Sequence, residues 1–346
     1  MNVSKALLVA AVVAAFATSV PVFAQQVTVD AKIPAYKSVQ GVSGTIKSVG
    51  SDTMNNEMTL WAEGFKAAYP NIQIEIEGKG SSTAPPALVS GASQFGPMSR
   101  PLKDEEIAAF KAAFGYEPTT IPTSIDALAV FVHKDNPIKS LTFKQLDGIF
   151  SKTHASGGGD VVTWGDLGLA GEWKDKPISL YGRNSASGTY GYFKEHALGK
   201  KDFKPDVKEQ PGSSAVIQAV ASDKYAMGYS GIGYATADVK AVPLAAEKGG
   251  KAFDANAENA YAGDYPLSRF LFVYVNVKPG AEPTPLVKEF MRMVLSQQGQ
   301  QTTVKYAYYP IPNRVAQEGL KAIGSKVAEA QPAAGKAAAG GAAGGK

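Results

Sequence analysis

Cysteine is absent from the 346 residues, and histidine occurs only three times. The first absence removes disulfides, thiolate nucleophiles and most zinc frameworks. It also removes the residue on which a lipid anchor at a signal-cleavage site depends. The second leaves His133, His154 and His196, far apart and without the H-x-x-x-H spacing of a metal site. A metal-dependent hydrolase, which clusters such ligands, gains no support. The chain also lacks a Gly-x-Ser-x-Gly elbow and a Gly-x-x-x-x-Gly-Lys-Ser/Thr loop. Tracts of one charge are missing too. The 35 basic and 31 acidic residues are interspersed and leave a net charge of +4, so nothing resembles a nucleic-acid arm.

Long apolar runs are confined to the start. Lys5 precedes the apolar run Ala6 to Phe16, and Val22-Phe23-Ala24 forms an A-x-A-like site before Gln25. This layout predicts a secretory signal peptide over residues 1–24, cleaved near Ala24. The apolar run is too short to span a bilayer. The exported chain is expected to be soluble and monomeric, and it is long enough for two domains. At the other end, residues 326–346 are dominated by Ala, Gly and Lys, a composition that predicts a disordered tail.

What lies between has regular patterning. Residues 25–43 lack periodicity and read as a loosely docked lead-in. Thr45 to Val49 reads as a strand, and Met54, Met58, Trp61 and Phe65 fall at helical spacing. Ile72, Ile74 and Ile76 alternate as a strand. A Gly-Ser turn then opens a helix with Pro85 and Pro86 in its first turn. The series continues with strand Gln94–Met98, a helix through Ile107, Phe110 and Phe114, and an apolar strand Ala127–His133. It resumes with helix Thr142–Phe150, strand Ile178–Tyr181 and helices Thr189–Leu198 and Val216–Ala221. Strand Phe270–Val277 and helix Pro285–Ser296 close it. Strands alternating with helices predict an α/β protein with mostly parallel, doubly wound sheets.

Chemistry concentrates in the turns. Arg183-Asn184-Ser185-Ala186-Ser187-Gly188-Thr189 joins a predicted strand to a predicted helix. A guanidinium offers a planar fork of donors to an oxyanion, and Ser187 and Thr189 add hydroxyls. Gly188 permits close backbone approach, and a helix start attracts anions through its free N–H groups and dipole. Three further turns share this composition: Gly50-Ser51-Asp52-Thr53-Met54, Gly80-Ser81-Ser82-Thr83, and Phe95-Gly96-Pro97-Met98-Ser99-Arg100-Pro101. Each alone is an ordinary helix cap. Together, at the carboxyl ends of parallel strands, they outline an oxyanion site.

With these turns in view, the chain resembles the periplasmic phosphate-binding proteins of bacterial phosphate ABC importers. The signal layout, the four turns, Tyr229-Ser230-Gly231-Ile232-Gly233-Tyr234 and Tyr265-Pro266-Leu267-Ser268-Arg269 all fit, over roughly residues 44–320. The resemblance implies a periplasmic, venus-flytrap receptor that holds phosphate between two α/β lobes, without a cofactor, and docks on membrane permease subunits. It places lobe one at residues 44–127 with 268–325 and lobe two at 128–267. The implied ligand residues are Ser51, Asp52, Thr53 and Ser81, with Arg183, Ser187, Gly188 and Thr189 opposite. In the third turn many relatives carry an aspartate that accepts the anion's proton, whereas this chain has Ser99 and Arg100.

Phosphate keeps a proton at neutral pH and sulfate does not, so selecting phosphate calls for an acceptor among the donors. Asp52 is the only acidic residue in the four turns. It reads either as that acceptor or as an N-cap for the following helix. Arg100 reads either as an anion ligand or as a partner for Asp52. A secreted phosphatase or other hydrolase and a secreted adhesin are the rival readings. The Ser-Gly-Thr turns bind anions but lack a nearby general base, which disfavours an enzyme.

Overall fold

The computed structural model describes residues 27–325. The expected signal peptide (1–24) and disordered tail (326–346) lie outside the described residues. The first half opens with β1 (Thr45–Val49), α1 (Asn55–Ala68), β2 (Gln73–Glu77), α2 (Ala84–Val89), β3 (Phe95–Met98) and α3 (Asp104–Phe114). The helical spacing read in the sequence becomes the buried stripe of α1, with Met54, Met58, Trp61 and Phe65 all fully buried. Phe65 meets Phe290 of helix Pro285–Val294 edge-on, the ring centroids 5.5 Å apart. Gly115, in a left-handed conformation at φ 78°, ends α3.

The next strand, β4 (Thr119–His133), is longer than the apolar run Ala127–His133 predicts. Its first part carries Pro122 and the buried polar residues Thr123, Ser124 and Asp126, which break the hydrophobic reading. Pro122 has no N–H to give the ladder, and the register with strand Ser268–Val275 shifts between Leu271 and Phe272 beside it. The chain then builds α4 (Phe143–Phe150), strand Ser179–Arg183, α5 (Gly188–Ala197), strand Lys208–Gln210, α6 (Ser213–Ser222) and strand Ala226–Gly231. It returns through strand Ser268–Val275.

One curled sheet runs β2, β1, β3, Ser268–Val275, β4, Ala226–Gly231, Ser179–Arg183, Lys208–Gln210. Pairing is parallel in both flanks, β1 with β2 and β3, and Ser179–Arg183 with its two neighbours. It is antiparallel in the middle, where Ser268–Val275 pairs with β3 and β4. The expected parallel order thus holds on each side of a crossing made by β4 and the returning strand. The first part of β4 pairs with Ser268–Val275 and its second part with Ala226–Gly231.

The lead-in is held more firmly than its composition suggests. Ile33 is buried, Tyr36 Oη pairs with Tyr69 Oη at 2.7 Å, and the Gln297 amide donates to the Asp30 carbonyl at 2.7 Å. Among the described residues, no helix is long and apolar enough to cross a membrane.

Candidate functional site

All four turns leave the carboxyl ends of strands and enter helices, and they converge on one cleft. From the first half, Ser51-Asp52-Thr53 links β1 to α1, Ser81 follows β2, and Ser99 follows β3. From the second, Ser187-Gly188-Thr189 opens α5. The halves touch through these residues: Thr53 Oγ1 lies 2.8 Å from Thr189 Oγ1, and Ser82 donates its amide to the Ala186 carbonyl at 3.1 Å. Gly188 sits so close to the opposite wall that a Cβ there would lie 2.3 Å from Ser81 Oγ and 2.6 Å from Ser99 Oγ.

Charge is concentrated on one pair. Asp52 Oδ2 lies 3.1 Å from Arg183 Nη2 and accepts the Ser213 amide at 2.8 Å. Arg183 Nη1 donates to Ser213 Oγ at 2.6 Å. Asp52 therefore does not cap α1, whose N-cap is Met54 with no side-chain hydrogen bond; its carboxylate turns across the cleft instead. Both contacts fall on Oδ2, so Oδ1 retains its acceptor capacity. Burial pulls the Arg183 guanidinium down from its usual range, and Asp52 opposes the shift. Arg183 Nε is buried without a partner among the described residues, and so is Ser51 Oγ. Buried donors in native proteins are normally satisfied, so each of these two retains a proton to give to an acceptor.

The remaining hydroxyls are arranged as donors or supports. Ser187 Oγ accepts from the Thr189 and Tyr190 amides at 3.1 and 3.3 Å, capping α5 and keeping its own proton free. Ser81 Oγ accepts the Ser99 amide at 3.0 Å. Arg100 does not pair with Asp52. Its guanidinium grips both oxygens of Glu106 at 2.6 and 2.7 Å, donates to the Pro101 carbonyl at 2.8 Å and reaches Ser82 Oγ at 3.3 Å, so it ties the start of α3 to the turn after β2. Burial pushes the Glu106 carboxyl up, but Arg100 outweighs it and holds the group below the usual carboxylate range. A cavity of about 740 Å³ opens beside Ser187, bordered by Ser82, Arg100 and Tyr190.

Several contributors escape the turn motif. Ser213 starts α6 and looks in sequence like any cap. Tyr234 Oη donates to the Asp52 carbonyl and Tyr308 Oη to the Thr53 carbonyl, each at 2.8 Å, fixing the backbone of the first turn. Arg269 and Asp126 form a buried ion pair at 2.8 Å behind Thr189. A charge within the otherwise apolar and hydroxyl-bearing β4 was the available signal for Asp126.

A PBP superfamily domain matches residues 36–298. The phosphate-binding protein PstS of Pseudomonas aeruginosa is 55% identical over 297 residues, covering 86% of this chain and 92% of that protein. A Clostridium perfringens protein solved with bound phosphate, described as a phosphate ABC transporter substrate-binding protein, is 27% identical with a TM-score of 0.65, covering 77% of this chain and 99% of its own. An ABC-type phosphate transport receptor of Vibrio cholerae, 23% identical with a TM-score of 0.59 over 78% of this chain and 100% of that one, shows the shared fold alone. On these matches the chain belongs to the PBP superfamily and, within it, to the family of the phosphate-binding proteins PstS.

Proposed function

We propose that the chain captures inorganic phosphate in the cleft between its two halves and delivers it to an ABC-type importer in the membrane. The observation that carries this reading is the Asp52–Arg183 pair. It sets a buried guanidinium with an unpartnered Nε beside a carboxylate with an uncommitted Oδ1. Donors from Arg183, Ser51, Thr53, Ser81, Ser99, Ser187, Gly188 and Thr189 would receive the ionised oxygens, and Asp52 Oδ1 would accept the proton that phosphate retains and sulfate lacks. A charge-assisted hydrogen bond contributes about 1.5–3 kcal/mol. About ten such bonds therefore exceed the roughly 8 kcal/mol of micromolar binding, after ordering costs.

The two halves act as lobes, residues 44–127 with 268–325 against 128–267, hinged where β4 and Ser268–Val275 cross. The protein works outside the cytoplasm as a monomer, with permease subunits as its docking partners; the signal layout of residues 1–24 supports export. We read the site as one that binds without turnover: among the described residues, no carboxylate or imidazole accepts a proton from the hydroxyls of Thr53, Ser81, Ser187 or Thr189.

Calorimetry and thermal unfolding with phosphate, arsenate and sulfate test the reading. Phosphate should raise the unfolding midpoint, since a ligand of the folded state stabilises it by about 2.7 kcal/mol at a hundredfold excess over Kd. No rise with any of the three anions would sink the proposal. Hydrolysis of a chromogenic phosphoester above background would return the site to an enzyme.

A further inference from the structure

The structure gives Arg269 no place in the four turns, yet its guanidinium touches three of the segments that meet at the cleft. Nε and Nη2 donate to Asp126 Oδ2 of β4 at 3.0 and 2.8 Å. Nη1 donates to the Ser99 carbonyl at 2.8 Å, and Nη2 also donates to Thr189 Oγ1 at 2.8 Å. The cation lies 5.2 Å from the centroid of the Tyr192 ring, which belongs to the same helix as Thr189. Both side chains of the ion pair are buried, Arg269 at 2% and Asp126 at 0% exposure. The geometry therefore places this cation behind the hydroxyls that face the cleft.

A guanidinium can only donate, so Thr189 Oγ1 must accept from it. The next bond in the row can then run in either of two directions. If Thr189 gives its proton to Thr53 Oγ1, the Thr53 proton is released toward the cleft. If Thr53 gives its proton, both Thr189 lone pairs are occupied and the Thr189 proton points outward. Either way the pair offers an O–H, and a Thr189 lone pair that could repel an oxyanion is occupied. We propose that Arg269 is a positioning residue that, acting through Thr189, turns the Thr53–Thr189 pair into a dedicated donor for the anion.

This inference rests on the phosphate-binding reading and adds a direction to it. The hydroxyl pair becomes the donor end of the site and Asp52 its acceptor end, so a bound phosphate is oriented with its protonated oxygen at Asp52. The same guanidinium joins Ser99 on one wall to Thr189 on the other, coupling donor orientation to the closed arrangement.

The test is a double-mutant cycle read as phosphate Kd by calorimetry. Arg269→Met alone would strand a buried carboxylate, so it is paired with Asp126→Leu, which removes the ion pair as a unit. In the Thr189 background this replacement should weaken phosphate binding at least tenfold. In a Thr189→Val background, where there is no hydroxyl to orient, it should change Kd less than twofold. Equal losses in the two backgrounds would mean that Arg269 acts only through the fold, and would overturn the inference. Should the double replacement not fold, the same cycle with Arg269→Lys decides in the same way. That variant keeps the charge against Asp126 but withdraws the planar fork from Ser99 and Thr189. Absence of phosphate binding by the wild-type chain would instead strike the underlying reading, so the two failures are distinguishable.

Discussion

In the proposed reading, a single carboxylate decides what this cleft can tell apart. Asp52 stands opposite Arg183 with Oδ2 engaged and Oδ1 available, in a wall otherwise made of donors. Asp52→Asn keeps the shape and an acceptor for the Ser213 amide, but it removes the charge that repels a fully ionised anion. Calorimetry should show phosphate binding weakened by about tenfold or more, about 1.4 kcal/mol, with the preference over sulfate reduced by at least the same factor. If affinity and preference both survive, Asp52 does not read the phosphate proton. Arg100 gives the opposite expectation. Because its guanidinium is committed to Glu106, the Pro101 carbonyl and Ser82 Oγ, Arg100→Ala should leave phosphate Kd within about twofold. It should still lower the unfolding free energy by about 1–3 kcal/mol, the scale of a partly buried polar partner left alone. The contrast separates two arginines that look alike in sequence, each set in a turn of small polar residues. Only the partner supplied from α3 tells them apart.

At the scale of elements, the start of α5 presses against the turns after β2 and β3 with only the Ser81 and Ser99 side chains between them. Gly188 has no Cβ, and adding one would place it 2.3 Å from Ser81 Oγ. Gly188→Ala should therefore hold the two walls apart while leaving each half intact. The expected outcome is a phosphate Kd raised tenfold or more with an unchanged unfolding midpoint for the anion-free protein, measured by calorimetry and by thermal unfolding. A midpoint that falls as steeply as the affinity would show that the glycine serves the fold instead. The four turns were legible in the sequence because strand, small polar residues and helix follow one another locally, and Met54, Met58, Trp61 and Phe65 announce α1 by their spacing. The first part of β4 was not legible: Thr123, Ser124 and Asp126 are buried by partners distant in the chain, so polarity there does not report exposure. Ser213 and Tyr308 were missed for a related reason, and Tyr234 and Arg269 stood in runs that fit the family without a role being readable. Each reaches the site only because the crossing of β4 and Ser268–Val275 folds the chain back on itself, which no local pattern encodes.

At the scale of the whole molecule, that crossing also buries an ionisable group that the cleft does not use. Glu57, on the face of α1 turned to the core, is fully buried and accepts from Ser124 Oγ of β4 at 2.9 Å. Burial pushes its carboxyl up to about 8, against the opposing hydrogen bonds of Thr303 and Ser124. In the unfolded chain the group titrates near the ordinary glutamate value of about 4.3. Between those values the native state holds a proton that the unfolded state has released, so Glu57 makes stability fall as pH rises. Its share is fully present below the unfolded value and is lost by about pH 8, at a slope approaching 1.4 kcal/mol per unit. Other carboxylates impose the reverse slope: Glu106, held low by Arg100, stabilises above its unfolded value and loses that contribution in acid. The net curve is thus uninformative, and the difference from Glu57→Gln isolates the term, because glutamine resembles the protonated acid and does not titrate. Denaturant unfolding at pH 5 should give nearly equal free energies for the two proteins. At pH 8.5 the variant should be the more stable by a few kcal/mol, with phosphate affinity unaffected because Glu57 lies behind the wall of the cleft. Parallel stability curves across this range would mean that the carboxylate is ionised in the native core and held by partners strong enough to offset its burial.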